Sequence, residues 1–186
     1  MNSLYIALLH HPVYDKNGAI VTTAVTNMDV HDLARLARTF DLGGVYVATP
    51  VETLRRLVER IMQHWDSGPG AAYNRTRKEA LALVRLAPDL EAVVADVERE
   101  CGVLPRMVAT SARAGGTRLT FAALRRRLAD GSRPELLVLG TGWGLTEDVL
   151  GRADDVLEPI RGAASYNHLS VRAAAAIILD RLLGDR

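Results

Sequence analysis

The sequence contains a single cysteine, Cys101, among 186 residues. A lone thiol cannot form an intramolecular disulfide, and it cannot supply a zinc cluster built from several cysteines. The neighbouring pair His10 and His11 has no carboxylate or cysteine partner at ligand spacing, so we expect both histidines to lie in a loop and not in a metal site. We therefore expect no metal site and a reducing compartment, the cytoplasm.

Long apolar runs and an excess of charge are also missing. No apolar segment approaches the roughly 18 residues that cross a bilayer, and the apolar start is too short for a signal peptide. The net charge of +1 argues against a protein that coats nucleic acid without selectivity. With 48% hydrophobic and 24% charged residues, the composition predicts one globular domain, residues 1–186, with no membrane partner.

Short apolar segments alternate with segments of helical periodicity. The apolar segments predict buried strands at 4–9, 45–48, 106–109, 136–139 and 156–157. The periodicity predicts a helix capped by Asn27 or Asp29 and a helix that begins at Pro50. It also predicts helices over 75–86, 89–100, 121–129 and 165–183, with a break at 66–70. Apolar strands separated by helices predict an α/β fold with a mostly parallel sheet covered by helices on both faces.

Three glycines at alternate positions follow the apolar segment 136–139. Gly140, Gly142 and Gly144 form the sequence Gly-Thr-Gly-Trp-Gly. Because glycine has no Cβ, such a loop lets a ligand lie against bare peptide N–H and C=O groups. The pattern therefore predicts a ligand site at this loop.

The glycine loop has three other interpretations: a dinucleotide-binding fingerprint, a P-loop and a tight turn without a ligand. A dinucleotide fingerprint needs its third glycine one residue later, and further βα units, whereas only about 40 residues remain after the loop. A P-loop needs Gly-Lys-Ser/Thr, which is absent. A tight turn without a ligand remains a simple alternative.

The order of motifs resembles the SPOUT, or α/β-knot, class of RNA methyltransferases. The glycine loop is followed by Leu157-Glu158-Pro159-Ile160-Arg161-Gly162 and by Asn167-His168-Leu169-Ser170-Val171. Upstream, Asn27 precedes the segment Ala34-Arg35-Leu36-Ala37-Arg38-Thr39-Phe40, which resembles the first motif of that class. Residues 23–27 and 109–113 look like the bacterial branch related to tRNA (guanine-N1)-methyltransferase. The resemblance implies S-adenosylmethionine (SAM) as methyl donor, a C-terminal deep trefoil knot, a homodimer and an RNA substrate, tRNA or rRNA.

The resemblance also implies which residues surround the cofactor. Backbone groups of the glycine loop are expected to line it, with apolar contacts from Ile160 and Leu169. Thr110 and Ser111 end a strand at the same crevice, although a cap or turn role explains them equally well. Ser165 or Asn167 could simply cap the last helix, and His168 could be a structural histidine. The predicted SAM-binding set is Thr110, Ser111, Leu139, Gly140, Thr141, Gly142, Gly144, Ile160, Gly162, Tyr166, Asn167, His168 and Leu169.

Arg35 and Asn27 are the predicted catalytic residues. In the resembled class, the helix carrying Arg35 faces the cofactor across the dimer interface. Because arginine stays protonated, it is a poor base, and its expected role is to anchor the target phosphate or base or to polarise the accepting atom. The alternative is an exposed arginine paired with Asp32 or Asp41. Asn27 would orient the target, or merely cap its helix.

Several basic segments are candidate phosphate contacts, although most charge runs are solvated helix faces. They comprise Arg55, Arg56, Arg75, Arg77, Lys78, Arg113, Arg118 and residues 125–127. Two further functions remain open from the sequence. One is a knot domain that binds SAM and RNA without methyl transfer. The other, an NAD-dependent oxidoreductase, rests on the glycine loop alone.

Overall fold

The computed structural model describes residues 4–113, 115–163 and 166–185. The strands are β1 (Leu4–Leu9), β2 (Val13–Tyr14), β3 (Ile20–Val21), β4 (Gly44–Ala48), β5 (Val84–Ala87), β6 (Arg106–Ala109), β7 (Glu135–Gly140) and β8 (Asp155–Val156). The helices are α1 (Asn27–Thr39), α2 (Glu52–Asp66), α3 (Pro69–Tyr73), α4 (Arg75–Leu81), α5 (Leu90–Cys101), α6 (Phe121–Asp130), α7 (Glu147–Arg152) and α8 (Val171–Leu183).

Six strands form one parallel sheet in the order β5-β4-β1-β7-β6-β8. Strand β1 lies in the middle, where Ile6 is opposite Val45 of β4 and Leu137 of β7. All six residues of β1 are buried, as expected for a central strand covered on both faces. The α/β fold with a parallel sheet is confirmed. A short antiparallel hairpin, β2–β3, stands apart from this sheet.

Helices cover both faces of the sheet. Ile6 and Leu8 of β1 point into a core that also holds residues of α1, α6 and α8. Ala7 and Leu9 point to the opposite face, into a core shared with α5 and α7. Successive side chains of a strand alternate between faces, so one apolar run fills both cores. Among the described residues, no helix is long and apolar enough to cross a membrane.

Several helix boundaries differ from those predicted. Residues 75–86 were predicted as one helix, but α4 ends at Leu81 and β5 begins at Val84. Val84 and Leu86 pair in parallel with Val45 and Val47 of β4, so the sheet edge decides the local structure. The predicted break at 66–70 contains the start of α3, and the helix expected from Pro50 begins at Glu52.

The last helix begins later than predicted, at Val171 rather than Ser165. Ser170 is its N-cap, because its Oγ accepts a hydrogen bond from the N–H of Ala173 at 3.3 Å. Tyr166 to Leu169 therefore lie in the preceding loop, and Ser165 lies outside the described residues. A serine followed by an alanine-rich apolar segment is the stronger start signal.

Helix α1 is also capped by a different residue than predicted. The Oγ1 of Thr26 accepts from the N–H of Asp29 at 3.2 Å and donates to Asp29 Oδ2 at 2.5 Å. Neither Asn27 nor Asp29 is the cap, and Asn27 is the exposed first residue of the helix. The Thr26–Asp29 exchange resembles a capping box, in which two side chains at this spacing satisfy the first turn.

The amino end of the sheet holds a buried ionic cluster around Glu135. This carboxylate is fully buried and accepts hydrogen bonds from Arg106 Nη1 at 3.2 Å and from Arg127 Nη2 at 3.0 Å. Arg127 Nη1 also donates to Asp155 Oδ2 at 2.6 Å. Because the strands are parallel, their carboxyl ends and the glycine loop lie at the opposite edge.

Candidate functional site

The glycine loop follows β7 at the carboxyl edge of the sheet, and its glycines are required by its own geometry. Gly142 and Gly144 have φ of 59° and 101°, a region that residues with a Cβ rarely adopt. A Cβ at Gly142 would lie 2.7 Å from the carbonyl oxygen of Tyr14, and one at Gly140 would lie 2.8 Å from the N of Leu145. Close backbone approach therefore explains two of the three glycines.

The loop is fastened to the β2–β3 hairpin by main-chain hydrogen bonds. The N–H of Trp143 donates to the carbonyl of Tyr14 at 2.8 Å, and the N–H of Tyr14 donates to the carbonyl of Gly144 at 2.9 Å. The N–H of Thr141 donates to the carbonyl of Leu9 at 3.2 Å. These peptide groups are used within the protein. A ligand on this loop would meet the exposed Gly142 first.

A polar cluster that the sequence did not reveal lies beneath the loop. Thr141 Oγ1 is 2.5 Å from Thr23 Oγ1 and donates to the carbonyl of Leu9 at 3.1 Å. Thr23 Oγ1 lies 3.0 Å from Nδ1 of His10, which is fully buried. Burial lowers the pKa of His10, and the nearby Asp29 partly opposes this shift. Within the described residues, Nε2 of His10 has no hydrogen-bond partner.

His10 was interpreted from the sequence as a loop residue. The structure places it directly after β1, where its N–H donates to the carbonyl of Ala48 at 2.9 Å. Its position after a buried strand was the only sequence signal for a role at the site. That signal alone could not identify Thr23 and Thr141 as its neighbours.

Two loops meet beside the carboxyl ends of β6 and β7. Asn167 Nδ2 donates to the carbonyl of Ala112 at 3.1 Å and joins the loop before α8 to the loop after β6. Thr110 Oγ1 donates to the carbonyl of Val138 at 3.0 Å, and Ser111 Oγ accepts from the N–H of Arg113 at 3.2 Å. The Ser111 hydroxyl thus makes a local bond of the kind expected for a turn residue, whereas the Thr110 hydroxyl bonds the backbone of the neighbouring strand β7.

The apolar candidates differ in their exposure. The Leu139 side chain is buried in the core, so only its backbone is available to a ligand. Ile160 is half-buried against the same core, whereas Leu169 is 45% exposed. Gly162 is exposed, and a Cβ there would meet nothing within 4 Å.

Three aromatic side chains are grouped at the surface of these loops. The ring centroids of Trp143 and His168 are 6.1 Å apart, and those of Tyr166 and His168 are 5.2 Å apart. Trp143 is 59% exposed and Tyr166 is 74% exposed. The structure thus brings Tyr166 and His168 to the glycine loop. Trp143 was not among the predicted site residues.

Arg35 lies in a groove between α1 and α8 with a volume of about 450 Å³, lined by Asp32, Arg35, Leu36, Thr39, Ser170, Arg172, Ala173 and Ala176. Asp32 forms an ion pair with Arg172, whose Nη1 donates to Asp32 Oδ2 at 2.8 Å. Arg172 Nε also lies 3.2 Å from Asp29 Oδ1. Within the part of the chain that the structure describes, Arg35 forms no hydrogen bond or ion pair. The alternative of an Arg35 pair with Asp32 or Asp41 is therefore wrong.

Most of the basic side chains predicted to contact phosphate are engaged within the protein. Arg56, Arg75, Lys78 and Arg113 form ion pairs, and Arg77 lies over the ring of Trp65. Arg127 belongs to the buried cluster around Glu135, and Arg55, Arg118 and Arg125 donate to backbone carbonyls. Arg126 is exposed. The described residues contain no group of three or more potential metal ligands.

A glycine loop with open loops beside it, at the carboxyl edge of a parallel sheet, is where α/β proteins bind nucleotide-like ligands. The family comparison is consistent with that class. A model of the SAM-dependent RNA methyltransferase family matches residues 3–184. The chain belongs to this family, whose methyl donor is SAM.

Two individual relatives show how far the sequence similarity extends. The chain is 48% identical over 183 residues to a tRNA (guanine-N(1)-)-methyltransferase from Oleidesulfovibrio alaskensis, a match that covers 98% of this chain and 42% of that protein. It is 43% identical to an uncharacterised protein from Aquifex aeolicus, covering 97% of this chain and 88% of the relative. The chain thus spans less than half the length of the first relative.

The solved SpoU methyltransferase AviRb from Streptomyces viridochromogenes shares the fold, with a TM-score of 0.61 at 19% identity, over 97% of this chain and 58% of AviRb. The resemblance to RNA methyltransferases is confirmed at the level of family and fold.

Proposed function

We propose that this chain is the catalytic unit of an RNA methyltransferase that uses SAM, and that residues 1–186 act as one domain. The observation that carries the proposal is the match of residues 3–184 to the model of the SAM-dependent RNA methyltransferase family. The glycine loop at the carboxyl edge of the sheet provides the matching site within the fold.

The cofactor site is proposed at the three loops that follow β6, β7 and β8. These loops fit an adenosyl group, because Gly144 and Gly162 have open space where a Cβ would be, and Leu169 offers exposed apolar surface. When bound, SAM supplies a methyl group on a positively charged sulfur. The proposed SAM-binding residues are Thr110, Ser111, Leu139, Gly140, Thr141, Gly142, Gly144, Ile160, Gly162, Tyr166, Asn167, His168 and Leu169.

Arg35 and Asn27 are proposed to hold the RNA. Arg35 is exposed in the groove between α1 and α8, where Arg172 already neutralises Asp29 and Asp32. A guanidinium with no ion-pair partner among the described residues is available to bind a phosphate or to polarise the accepting atom. Asn27, exposed in the first turn of α1, is proposed to orient the target nucleotide.

The proposed assembly is a homodimer with a C-terminal trefoil knot, as in the SPOUT class. The groove between α1 and α8 would then face the cofactor loops of the partner subunit. This arrangement gives a reason for an arginine that has no ion-pair partner within residues 4–113, 115–163 and 166–185.

Transfer RNA is the proposed substrate class, and the cytoplasm the proposed compartment. A relative named tRNA (guanine-N(1)-)-methyltransferase shares 48% identity with this chain, which supports tRNA. More than half of that relative lies outside the match, so its name does not assign guanine N1 to the matched part. Ribosomal RNA remains the other candidate substrate.

The test combines binding with activity. Isothermal titration with S-adenosylhomocysteine is expected to show one site per chain, and sedimentation is expected to show a dimer. Labelled methyl from SAM is expected to enter tRNA taken from a strain that lacks this protein, but not tRNA from the parent strain. Cofactor binding without methyl incorporation into tRNA or rRNA would support instead an accessory knot domain. Absence of binding at millimolar ligand would refute the proposal.

A further inference from the structure

We infer that Trp143, Tyr166 and His168 form a stacking platform for an unpaired base of the RNA substrate. This inference rests on the proposed function and adds a substrate contact to it. The platform is made by two segments, the glycine loop and the loop before α8, which the fold brings together.

The exposure of the three rings is the first argument. Trp143 and Tyr166 are 59% and 74% exposed, and His168 is exposed as well. Large aromatic side chains gain free energy when they are buried, and a group of them left in solvent marks a binding surface.

The geometry of the rings is the second argument. The Trp143 and His168 ring planes are inclined by 56°, and those of Tyr166 and His168 by 72°. Tyr166 and His168 are therefore arranged edge to face, Trp143 and His168 are tilted, and neither pair is stacked face to face. With the exposures given above, ring faces remain available to a flat partner, and every nucleobase has such a face.

The support of the two loops is the third argument. The backbone of Trp143 is fixed by its hydrogen bond to Tyr14, and the loop before α8 is fixed by the bond from Asn167 to Ala112. The backbone of both loops is thus held in place, while the side-chain rings remain exposed. A platform of this kind loses little conformational entropy when a base binds.

RNA fits this surface better than a protein partner does. The platform is formed by two of the loops proposed to hold the methyl donor, so a base stacked on it would lie near the transferred methyl. Arg161, which is exposed in the connection between β8 and α8, is a candidate cation for the phosphate backbone. Stacking combined with a cation is how proteins bind single-stranded RNA.

The first experiment uses Trp143 as its own probe. The chain has two tryptophans, so Trp65→Phe leaves Trp143 as the only one. Titration of this full-length variant with a single-stranded RNA decamer is expected to quench its fluorescence to saturation, and an RNA duplex is expected to quench far less. Quenching by S-adenosylhomocysteine but not by RNA would overturn the inference and assign the ring to the cofactor. Quenching by neither would also overturn it.

The second experiment compares variants. Trp143→Ala and Tyr166→Ala are each expected to weaken RNA binding by about 5- to 100-fold, as loss of one stacked base predicts. Trp143→Phe and Tyr166→Phe are expected to retain most of the affinity, because they keep a ring. Tyr73→Ala is the matched control, because Tyr73 is 85% exposed but lies in α3, away from these loops.

The readouts separate this inference from the proposed function. S-adenosylhomocysteine affinity is expected to stay within about twofold of wild type in Trp143→Ala, because Trp143 is not among the proposed SAM-binding residues. Tyr166 is one of them, so Tyr166→Ala is expected to lose more RNA affinity than cofactor affinity. If the wild-type protein methylates RNA and the variants bind RNA with wild-type affinity, the stacking platform is refuted, while the proposed methyltransferase function is supported. An equal loss of RNA and cofactor affinity in both variants would place the rings in the cofactor site, which also refutes the platform. If wild-type protein binds no cofactor, the proposed function itself fails.

Discussion

Thr23 Oγ1 and Thr141 Oγ1 lie 2.5 Å apart, although 118 residues separate them in the chain. The contact joins the loop after the β2–β3 hairpin to the glycine loop, and His10 extends it into the core. The glycine loop is therefore held from below by side chains as well as by its main-chain bonds. The proposed cofactor site depends on how well this loop is held.

Thr141→Val is expected to loosen the loop, because valine has a similar shape but no hydroxyl to bond Thr23 and Leu9. A net hydrogen bond contributes about 1 kcal/mol, and a buried partner left unsatisfied adds to the cost. Calorimetry should show weaker S-adenosylhomocysteine binding, and urea unfolding should show lower stability. Thr53→Val, at an exposed position of α2, is the control and should change neither. Unchanged cofactor affinity in Thr141→Val would separate the loop from the cofactor.

Gly142→Ala is expected to disturb the glycine loop more strongly. The new Cβ would face the Tyr14 carbonyl at 2.7 Å, with φ of 59° adding backbone strain of about 1 kcal/mol. Gly151→Ala is the matched control, since it lies in α7 with nothing within 4 Å, and it should raise stability by about 0.5–1 kcal/mol. Thermal unfolding of both variants, with and without S-adenosylhomocysteine, checks the contrast. Similar effects in the two variants would contradict it.

Arg35→Ala is expected to reduce methyl transfer by about 100-fold or more, the cost typical of losing one charge-stabilising donor. Cofactor affinity should remain, because Arg35 lies on α1 and not in the glycine loop. Arg35→Lys should recover part of the activity, since it keeps the charge but loses the planar fork. Arg38→Ala, exposed on the same helix, is the control. Equal rates for Arg35→Ala and Arg38→Ala would remove Arg35 from the mechanism.

Glu135→Ala is expected to destabilise the fold by about 3–5 kcal/mol, because it leaves Arg127 and Arg106 without their buried partner. Glu135→Gln keeps the shape and should lose less. Glu98→Ala, exposed on α5, should be close to neutral. Urea unfolding measures all three variants. A stability of Glu135→Ala close to that of Glu98→Ala would show that the cluster contributes nothing.

His10 should make stability depend on pH. Its pKa lies below the usual value in the folded protein, chiefly because burial disfavours the imidazolium. An unfolded chain has an ordinary histidine pKa near 6.5, so the unfolded state binds the proton first as pH falls. The contribution of His10 to stability is therefore fully present above about pH 6.5. The free energy of unfolding decreases as the pH falls from 7 towards 5.

Urea unfolding of wild type and His10→Gln at pH 7 and pH 5 measures the contribution of His10 to this pH dependence. His31, whose pKa is also lowered, is present in both proteins and cancels in the comparison. The wild type should lose more stability between pH 7 and pH 5 than the variant. Equal losses would show that His10 does not carry the effect.

The sequence alone predicted most of the sheet and its coverage. The segments 4–9, 45–48, 106–109 and 136–139 are each apolar enough to identify a buried strand without knowing its neighbours. The order of the glycine loop, the segment 157–162 and the last helix indicated the family, because that order is written along the chain. Strand β5 was missed, since Val84-Arg85-Leu86-Ala87 continues a helical pattern and becomes a strand only by pairing with β4.

The sequence by itself determined which segments are apolar, where the glycines stand and which family they indicate, because those properties are local or sequential. Only the tertiary structure decided that Thr141 contacts Thr23, that Asp32 pairs with Arg172 instead of Arg35, and that Trp143 contacts His168. Each of these contacts joins residues far apart in the chain. Their proximity follows from the order of strands in the sheet, which no local pattern encodes.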